Sequence, residues 1–399
     1  MVAKFAISLF ISLLLILSSM PQATAGDQFE QIDANLLQWM QKFKVPGAQL
    51  SVAKNGKIIY SKGYGVADTE KHPVTSQNLF RVASVSKVFT AVAIWQLVEH
   101  GKLKLDDKAF VVLDNLKGPS GSTEDPRLRT VSILNLLDHT GGWDISVHGD
   151  SQVIYTRLAA DTFKEPRPAT PTTIVRFMRG QPLQFDPGTK YVYSNFGFNV
   201  LGRLIEKASG TTYEEYIKEH VLKPAGVTDM RIAKSRLTER FPNEVMYFDG
   251  DDEPLVWSVL DNEPGQVKWS YGGDFAIETM DAHGGWLATA DDLAKVAAAV
   301  NGTDAVISKS TLKQMLAIGP NRESTHPGTF YGHGVLVNPS KDRWSHTGAL
   351  HSGTGSVLYS LRNGVTIGAT FNHLDINDLG GYFGGIENAV IKPVDSMGL

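Results

Sequence analysis

The chain has 399 residues, 42% hydrophobic and 20% charged, a balance that suits a folded globular protein with a sizeable core and excludes wholesale disorder. Lys and Arg total 38 against 42 Asp and Glu, a net charge of -4 with no dense basic block, so no nucleic-acid footprint stands out and the expected partner is a small-molecule or peptide substrate. The absence of cysteine excludes disulfides and a lipid-modified cysteine.

The first 25 residues read as a signal peptide. Lys4 supplies the basic start, residues 5–20 (FAISLFISLLLILSSM) the apolar region and Ala23-Thr24-Ala25 the small-residue cleavage site. The apolar run is short for a membrane span and Pro21 interrupts it. The expectation is an extracytoplasmic protein, periplasmic or secreted, with no stable membrane anchor after cleavage.

A helix is expected over residues 29–43. The stretch GAQLSVAKNGKIIYSKGYG (47–65) then reads as a hairpin turning at Asn55-Gly56, and TGSVLYSLRNGVTIGATFN (354–372) as a second turning at Asn363-Gly364. Between them the pattern is mostly helical, over 88–99, 129–138, 196–208, 212–223 and 290–300. Strands at both ends with helices between predict an α/β fold: an antiparallel sheet flanked by helices, built from both chain ends, with an inserted mostly helical region. Residues 26–399 are expected to form one catalytic domain, its sheet part about 26–100 and 285–399 and its helical part about 101–284. Residues 240–282, with Trp257, Trp269 and Tyr271 among acids, Pro and Gly, show no clear period. A connection this long is either a functional wall or a surface insertion.

Within RVASVSKVFTAVAIWQLVEHG (81–101), Ser84 and Lys87 stand three apart where an all-apolar helix begins. Such residues share a helix face with Cβ atoms roughly 5–6 Å apart, so the amine can reach the hydroxyl. Burial lowers a lysine pKa, and a neutral amine can take the serine proton and create a nucleophile. A serine in the first turn also has its own N–H free to face a developing oxyanion. The bland alternative has Ser84 capping the helix and Lys87 reaching back to solvent.

Two further stretches supply partners. In FDPGTKYVYSNFGFNVLGRLIEKASG (185–210), Tyr193 and Asn195 point the same way along an extended segment, the phenol able to relay a proton and the amide to orient the lysine and meet a substrate carbonyl. In RWSHTGALHSGTGS (343–356), His346-Thr347-Gly348 falls on an expected strand, where Gly348 would let a substrate backbone lie close while His346 and Thr347 offer donors. An ordinary helix entry capped by Asn195, and a structural histidine beside a Gly-rich turn, are the alternatives.

The ordered motifs SVSK (84–87), YSN (193–195) and HTG (346–348), with LFRVASVSK, VSILNLLDHTGGW, FDPGTKYVYSN and HGGWLATADDLAK around them, resemble the penicillin-recognising serine hydrolases related to class C β-lactamases and soluble DD-peptidases, over residues 30–375. The resemblance implies a sheet domain and a helical domain with a cleft between them. It implies Ser84 as nucleophile, Lys87 as its base, Tyr193 as proton shuttle and Asn195 as partner of substrate and lysine. It places the substrate against His346, Thr347, Gly348 and Ala349, with the backbone N–H groups of Ser84 and Ala349 as oxyanion hole. Many β-lactamases carry Lys where this chain has His346, which puts strong β-lactamase activity in doubt. An imidazole of ordinary pKa would leave that position only partly charged near neutrality, so attraction for a substrate carboxylate is expected to fade between about pH 6 and 8.

No H-E-x-x-H, P-loop or G-x-S-x-G pattern is present, and His346 with His351 makes no compelling metal pair, so neither cofactor nor metal is expected. Asn301-Gly302-Thr303 matches a glycosylation sequon. The expected function is acyl transfer through a Ser84 ester on peptide, amide or ester substrates, of DD-carboxypeptidase or D-amino-acid peptidase type, with carboxylesterase or β-lactamase as alternatives. A catalytically silent binding protein on the same fold is the rival of a different class.

Overall fold

The computed structural model describes residues 25–249, 254–261, 263, 265–273, 275–302, 304–319, 324–326, 328–351 and 353–399. The expected signal segment over 1–24 and Thr303 of the sequon lie outside them. Helix α1 (Ala25–Lys42) leads into β1 (Gly47–Lys54) and β2 (Lys57–Gly65). Asn55 and Gly56 both take positive φ, 48° and 80°, the left-handed pair that a tight hairpin turn requires.

The other strands of the main sheet come from the far end of the chain: β3 (Ser324–His326), β4 (Thr329–Tyr331), β5 (Leu336–Asn338), β6 (Arg343–Leu350), β7 (Thr354–Ser360) and β8 (Val365–Phe371). All pairings are antiparallel in the order β2-β1-β8-β7-β6-β5-β4-β3. The two chain ends meet at β1 and β8, from Ala48 opposite Phe371 to Lys54 opposite Val365. The short strands β3 to β5 extend the sheet beyond what the hydrophobic pattern predicted, because two or three residues carry no readable alternation.

Both faces of the sheet are covered. On one, Ile32, Leu36 and Trp39 of α1 pack with Phe371, Ile386 and Val390 near the C-terminus. On the other lie α2 (Ser86–Glu99), α3 (Asn195–Ser209) and α4 (Ala290–Gly302) with the rest of the helical region. From Ser86 to Leu97 every side chain of α2 is buried, as its unbroken apolar run requires. Two expected helices are broken up. Residues 129–138 become a 3-10 turn (Pro126–Thr130) and a short helix (Ile133–Leu137) started by a Ser132/Asn135 capping box. The 212–223 helix keeps α geometry over Tyr213–Ile217, widens to a π turn over Lys218–Leu222 and ends in a 3-10 turn containing Pro224, which has no N–H to offer.

The segment 240–282 holds a two-stranded ribbon (Val256–Trp257 with Gln266–Val267) and two 3-10 turns, Trp269–Tyr271 and Ile277–Met280. Arg81, buried and three residues before Ser84, ties it to the fold. Its guanidinium donates to the Ser270 carbonyl at 2.5 Å and the Lys234 carbonyl at 2.8 Å, lies 4.4 Å from the Tyr247 ring and faces buried Glu244 at 3.6 Å. A buried guanidinium is tolerated because carbonyls, a carboxylate and an aromatic face replace its water. Among the described residues, no helix is long and apolar enough to cross a membrane.

Candidate active site

Ser84 sits in a 3-10 turn (Ala83–Val85) that runs directly into α2. The turn is pinned on both sides. The Val82 N–H donates to the Trp286 carbonyl at 2.9 Å, while the Val82 carbonyl accepts the Ser356 hydroxyl of β7 at 2.7 Å. Ala83 is held at φ 45°, a left-handed conformation that a non-glycine residue adopts only when its surroundings enforce it. Ser84 is not a cap: the turn's N-cap is Val82, and it makes no side-chain cap bond.

Lys87 is fully buried, so the snorkelling alternative does not hold. Its Nζ lies 2.6 Å from Asn195 Oδ1, 2.9 Å from the His283 carbonyl and 3.1 Å from Ser84 Oγ. The first two atoms only accept, so they take two N–H bonds. A neutral amine has two N–H bonds and one lone pair, and that lone pair is left for the Ser84 O–H. Burial pushes the Lys87 pKa down to about 7, opposed by the nearby Asp150 carboxylate. The neutral base is therefore abundant near neutrality.

Asn195, first residue of α3, faces two ways. Its Oδ1 accepts from Lys87 and its Nδ2 donates to Asp150 Oδ2, which fixes the amide's orientation. The Asp150 Oδ1 in turn accepts the Gln152 N–H at 3.0 Å. Tyr193 packs its ring 4.8 Å from Lys87 Nζ and its hydroxyl hydrogen-bonds Ser84. Burial raises its pKa, Tyr191 and Asp150 add to this, and the Ser84 contact only partly offsets it, so the phenol stays protonated and can pass a proton on rather than start as the base. His139, its ring tilted against that of Tyr193 with centroids 4.4 Å apart, accepts the Ser194 N–H at Nδ1, 3.0 Å away, and so sets the Tyr193–Asn195 turn.

On β6 the residues alternate. Thr347 is partly exposed and Ala349 exposed, while His346 and Gly348 are buried. Ala349 lines the same cleft as Ser84, a position compatible with its expected oxyanion role. At Gly348 an added Cβ would stand 2.2 Å from the Val82 carbonyl and 2.3 Å from Ser356 Oγ, so the chain's own nucleophile turn already requires glycine there. One expectation needs correction. His346 does not carry a pH-dependent charge near neutrality. Burial and the neighbouring Lys87 push its pKa down to about 3 against the Thr347 carbonyl bond. The neutral ring is held by Tyr331 OH at 3.1 Å and the Thr347 carbonyl at 2.6 Å.

The eight expected site residues thus fall in one region, with Lys87 in contact with Ser84, Tyr193 and Asn195. Sequence reasoning missed Asp150, which reads as an ordinary helix cap, and Tyr331, which sits on a strand too short to predict. It also missed the His283 carbonyl, since main-chain acceptors leave no sequence signal. The cleft has a volume of about 320 Å3, and Trp269 and His351, stacked at 4.2 Å, stand in its wall with Phe275 and Met280. Segment 240–282 therefore contributes directly to the cleft. Among the described residues, no cluster of three or more His, Cys, Asp or Glu is arranged to hold a metal.

The model of the family described as Beta-lactamase matches residues 32–380. The chain belongs to the Beta-lactamase family. Among curated relatives it is 31% identical to Protein flp of Staphylococcus aureus (strain MW2) over 201 residues, 50% of this chain and 37% of that protein. It is also 31% identical to Esterase EstB of Burkholderia gladioli over 226 residues, 56% of each. The matches thus span between about two fifths and three fifths of those relatives. Among solved structures, the octameric penicillin-binding protein homologue from Pyrococcus abyssi aligns with TM-score 0.66 and 26% identity over 86% of this chain and 73% of that one. The D-amino acid amidase from Ochrobactrum anthropi SV3 aligns with TM-score 0.71 and 21% identity over 93% and 98%, a likeness of fold.

Proposed function

We propose that this chain is a serine hydrolase that transfers an acyl group from a peptide, amide or ester to water through an ester on Ser84. The observation that carries this reading is the triple contact of Lys87 Nζ, which occupies two N–H bonds on carbonyl-type oxygens and leaves the lone pair to Ser84. Acylation forms the Ser84 Oγ–carbon bond as the proton passes through Lys87 and Tyr193 to the leaving group, and the Ser84 and Ala349 N–H groups receive the oxyanion. Water then repeats the sequence in reverse. Residues 26–399 act in this proposal as one catalytic unit, with sheet part 26–100 and 285–399 and helical part 101–284. The basic start and apolar run of residues 1–25 support an extracytoplasmic setting.

Within this chemistry the DD-carboxypeptidase and D-amino-acid peptidase forms differ in what the substrate presents. A neutral His346 supplies no cation for a substrate carboxylate, which weighs against the carboxypeptidase and β-lactamase forms and favours neutral or amine-bearing acyl donors. The similarity to Esterase EstB supports esters among them. A silent binding protein would have no need of a fully buried lysine aimed at a serine, since burying an ammonium is costly. The test is intact-mass detection of an acyl-enzyme with a slow ester, followed by peptide mapping. Label on Ser84, and loss of about a thousandfold or more in turnover for Ser84→Ala, are expected. Label on Ser86 or Ser194 would overturn the reading.

A further inference from the structure

Beyond the nucleophile, the cleft contains one charged group with spare capacity. Among the described residues that line it, Asp150 is the one carboxylate and no lysine or arginine side chain is present. Among the described residues each Asp150 oxygen has one hydrogen-bond contact, Oδ1 with the Gln152 N–H and Oδ2 with the Asn195 amide, so lone pairs on both remain for a further donor. The Lys87 amine, linked to Asp150 through Asn195, already directs Nζ at three other oxygens. Beside Ser84, Asn195 and His283, much of the wall is apolar or aromatic: Val153, Phe275, Met280 and Leu350, with the stacked Trp269–His351 pair. Two larger cavities elsewhere on the molecule are lined, among the described residues, by charged side chains of both signs.

We propose that the cleft selects acyl donors with a protonated amine beside the scissile carbonyl, received by the Asp150 carboxylate, and an apolar side chain against Phe275, Met280 and Leu350. This rests on the reading of Ser84 as the acylated residue. The geometry ties the two together: Asp150 and Ser84 line one cleft and are linked through Asn195 and Lys87, and in this proposal the substituent beside a carbonyl at Ser84 is set against Asp150. An amine there meets a carboxylate, an aromatic wall and no competing cation. A carboxylate there meets a like charge. Hydrolysis balances as before: the carbonyl carbon exchanges its leaving-group bond for Ser84 Oγ and then for water, while the amine is only held.

The experiment compares five methyl esters with the full enzyme: leucine methyl ester of each hand, N-acetylleucine methyl ester, methyl 4-methylpentanoate and N-succinylleucine methyl ester. These present, in turn, a cation, an amide, nothing and an anion at one position. For at least one hand, kcat/KM for the free amine is expected to exceed that of the amide and deamino esters by about 10- to 100-fold, the range of a charge-assisted hydrogen bond, with the succinyl ester slowest. Asp150→Asn slows every ester through its contact with Asn195, but should bring the amine-to-deamino ratio to within about threefold of one. A wild-type ratio near one, with Ser84 still labelled by the esters, overturns the amine proposal and leaves the Ser84 reading standing. An amine preference that persists in Asp150→Asn also overturns it. No label on Ser84 from any ester removes both.

Discussion

At the scale of single residues the site is governed by which protonation states burial permits. Lys87 must be neutral to accept the Ser84 proton, and its pKa lies at about 7. For a neutral ester, kcat/KM should therefore rise about tenfold per pH unit below 7 and level off above it. Asp150→Asn removes the charge that favours the ammonium form, so the acid limb should move to lower pH. A limb that stays in place would show that another group titrates there. His346 leads to the opposite expectation from its residue type. With a pKa of about 3 it stays neutral from pH 6 to 8, so the kcat/KM ratio of a carboxylate-bearing over a neutral ester should be flat across that window once the shared Lys87 titration cancels. A fall of several-fold would mean that a cation of ordinary histidine pKa meets the carboxylate after all. Serine and lysine could be read from sequence because their spacing on a helix is itself the geometry. The state of His346 could not, since it depends on Tyr331, on the Thr347 carbonyl and on Lys87, which stands 259 positions away by the numbering.

At the scale of elements, the contact between β6 and the nucleophile turn is the close one. Gly348 has no room for a methyl group because the Val82 carbonyl and Ser356 occupy it. Gly348→Ala must push β6 away from the turn that carries Ser84. The expected result is a loss of about 1–3 kcal/mol of stability from overpacking and a fall of about a hundredfold in kcat from misplacing Ser84 against Ala349. Urea midpoints and single-turnover acylation measure the two effects separately. Wild-type acylation in this variant would show that β6 yields without moving the nucleophile. The hairpins at Asn55-Gly56 and Asn363-Gly364 were legible because the residue pair dictates the turn: Asn363 and Gly364 also take positive φ, 61° and 73°. The strand pair Phe80–Arg81 and Trp286–Ala288 was not, since it joins segments about 200 residues apart through two residues each. The same holds for segment 240–282, whose place in the cleft is set by the buried Arg81 contacts and not by any period of its own.

At the scale of the whole molecule, the conditions that make the site work also bear on whether the fold persists. The sheet could be anticipated from strands at both chain ends, whereas its energetic coupling to the site could not, because that coupling arises from groups buried only after the ends meet. His346 and His283 are both buried and both held below their ordinary pKa, His346 at about 3, by desolvation first and by Lys87 second. The unfolded chain takes up a proton at each near pH 6.5, while the folded chain does not until far lower pH. Their contribution to stability is therefore intact above about pH 6.5 and declines as pH falls below it. For His346 alone, the drop from pH 7 to pH 5 is on the order of 2 kcal/mol given a folded pKa of about 3. Buried Glu244 and Asp281 have raised pKa values and act with the opposite sign, gaining stability as they protonate, so the total acid profile is a mixture. The difference between wild type and His346→Gln isolates one imidazole from that mixture. Urea unfolding at pH 7 and pH 5 should show wild type losing more stability than the variant by an amount of that order. Equal losses in the two proteins would mean that His346 takes up its proton in the folded state, and the neutral ring between Tyr331 and Thr347 would have to be abandoned.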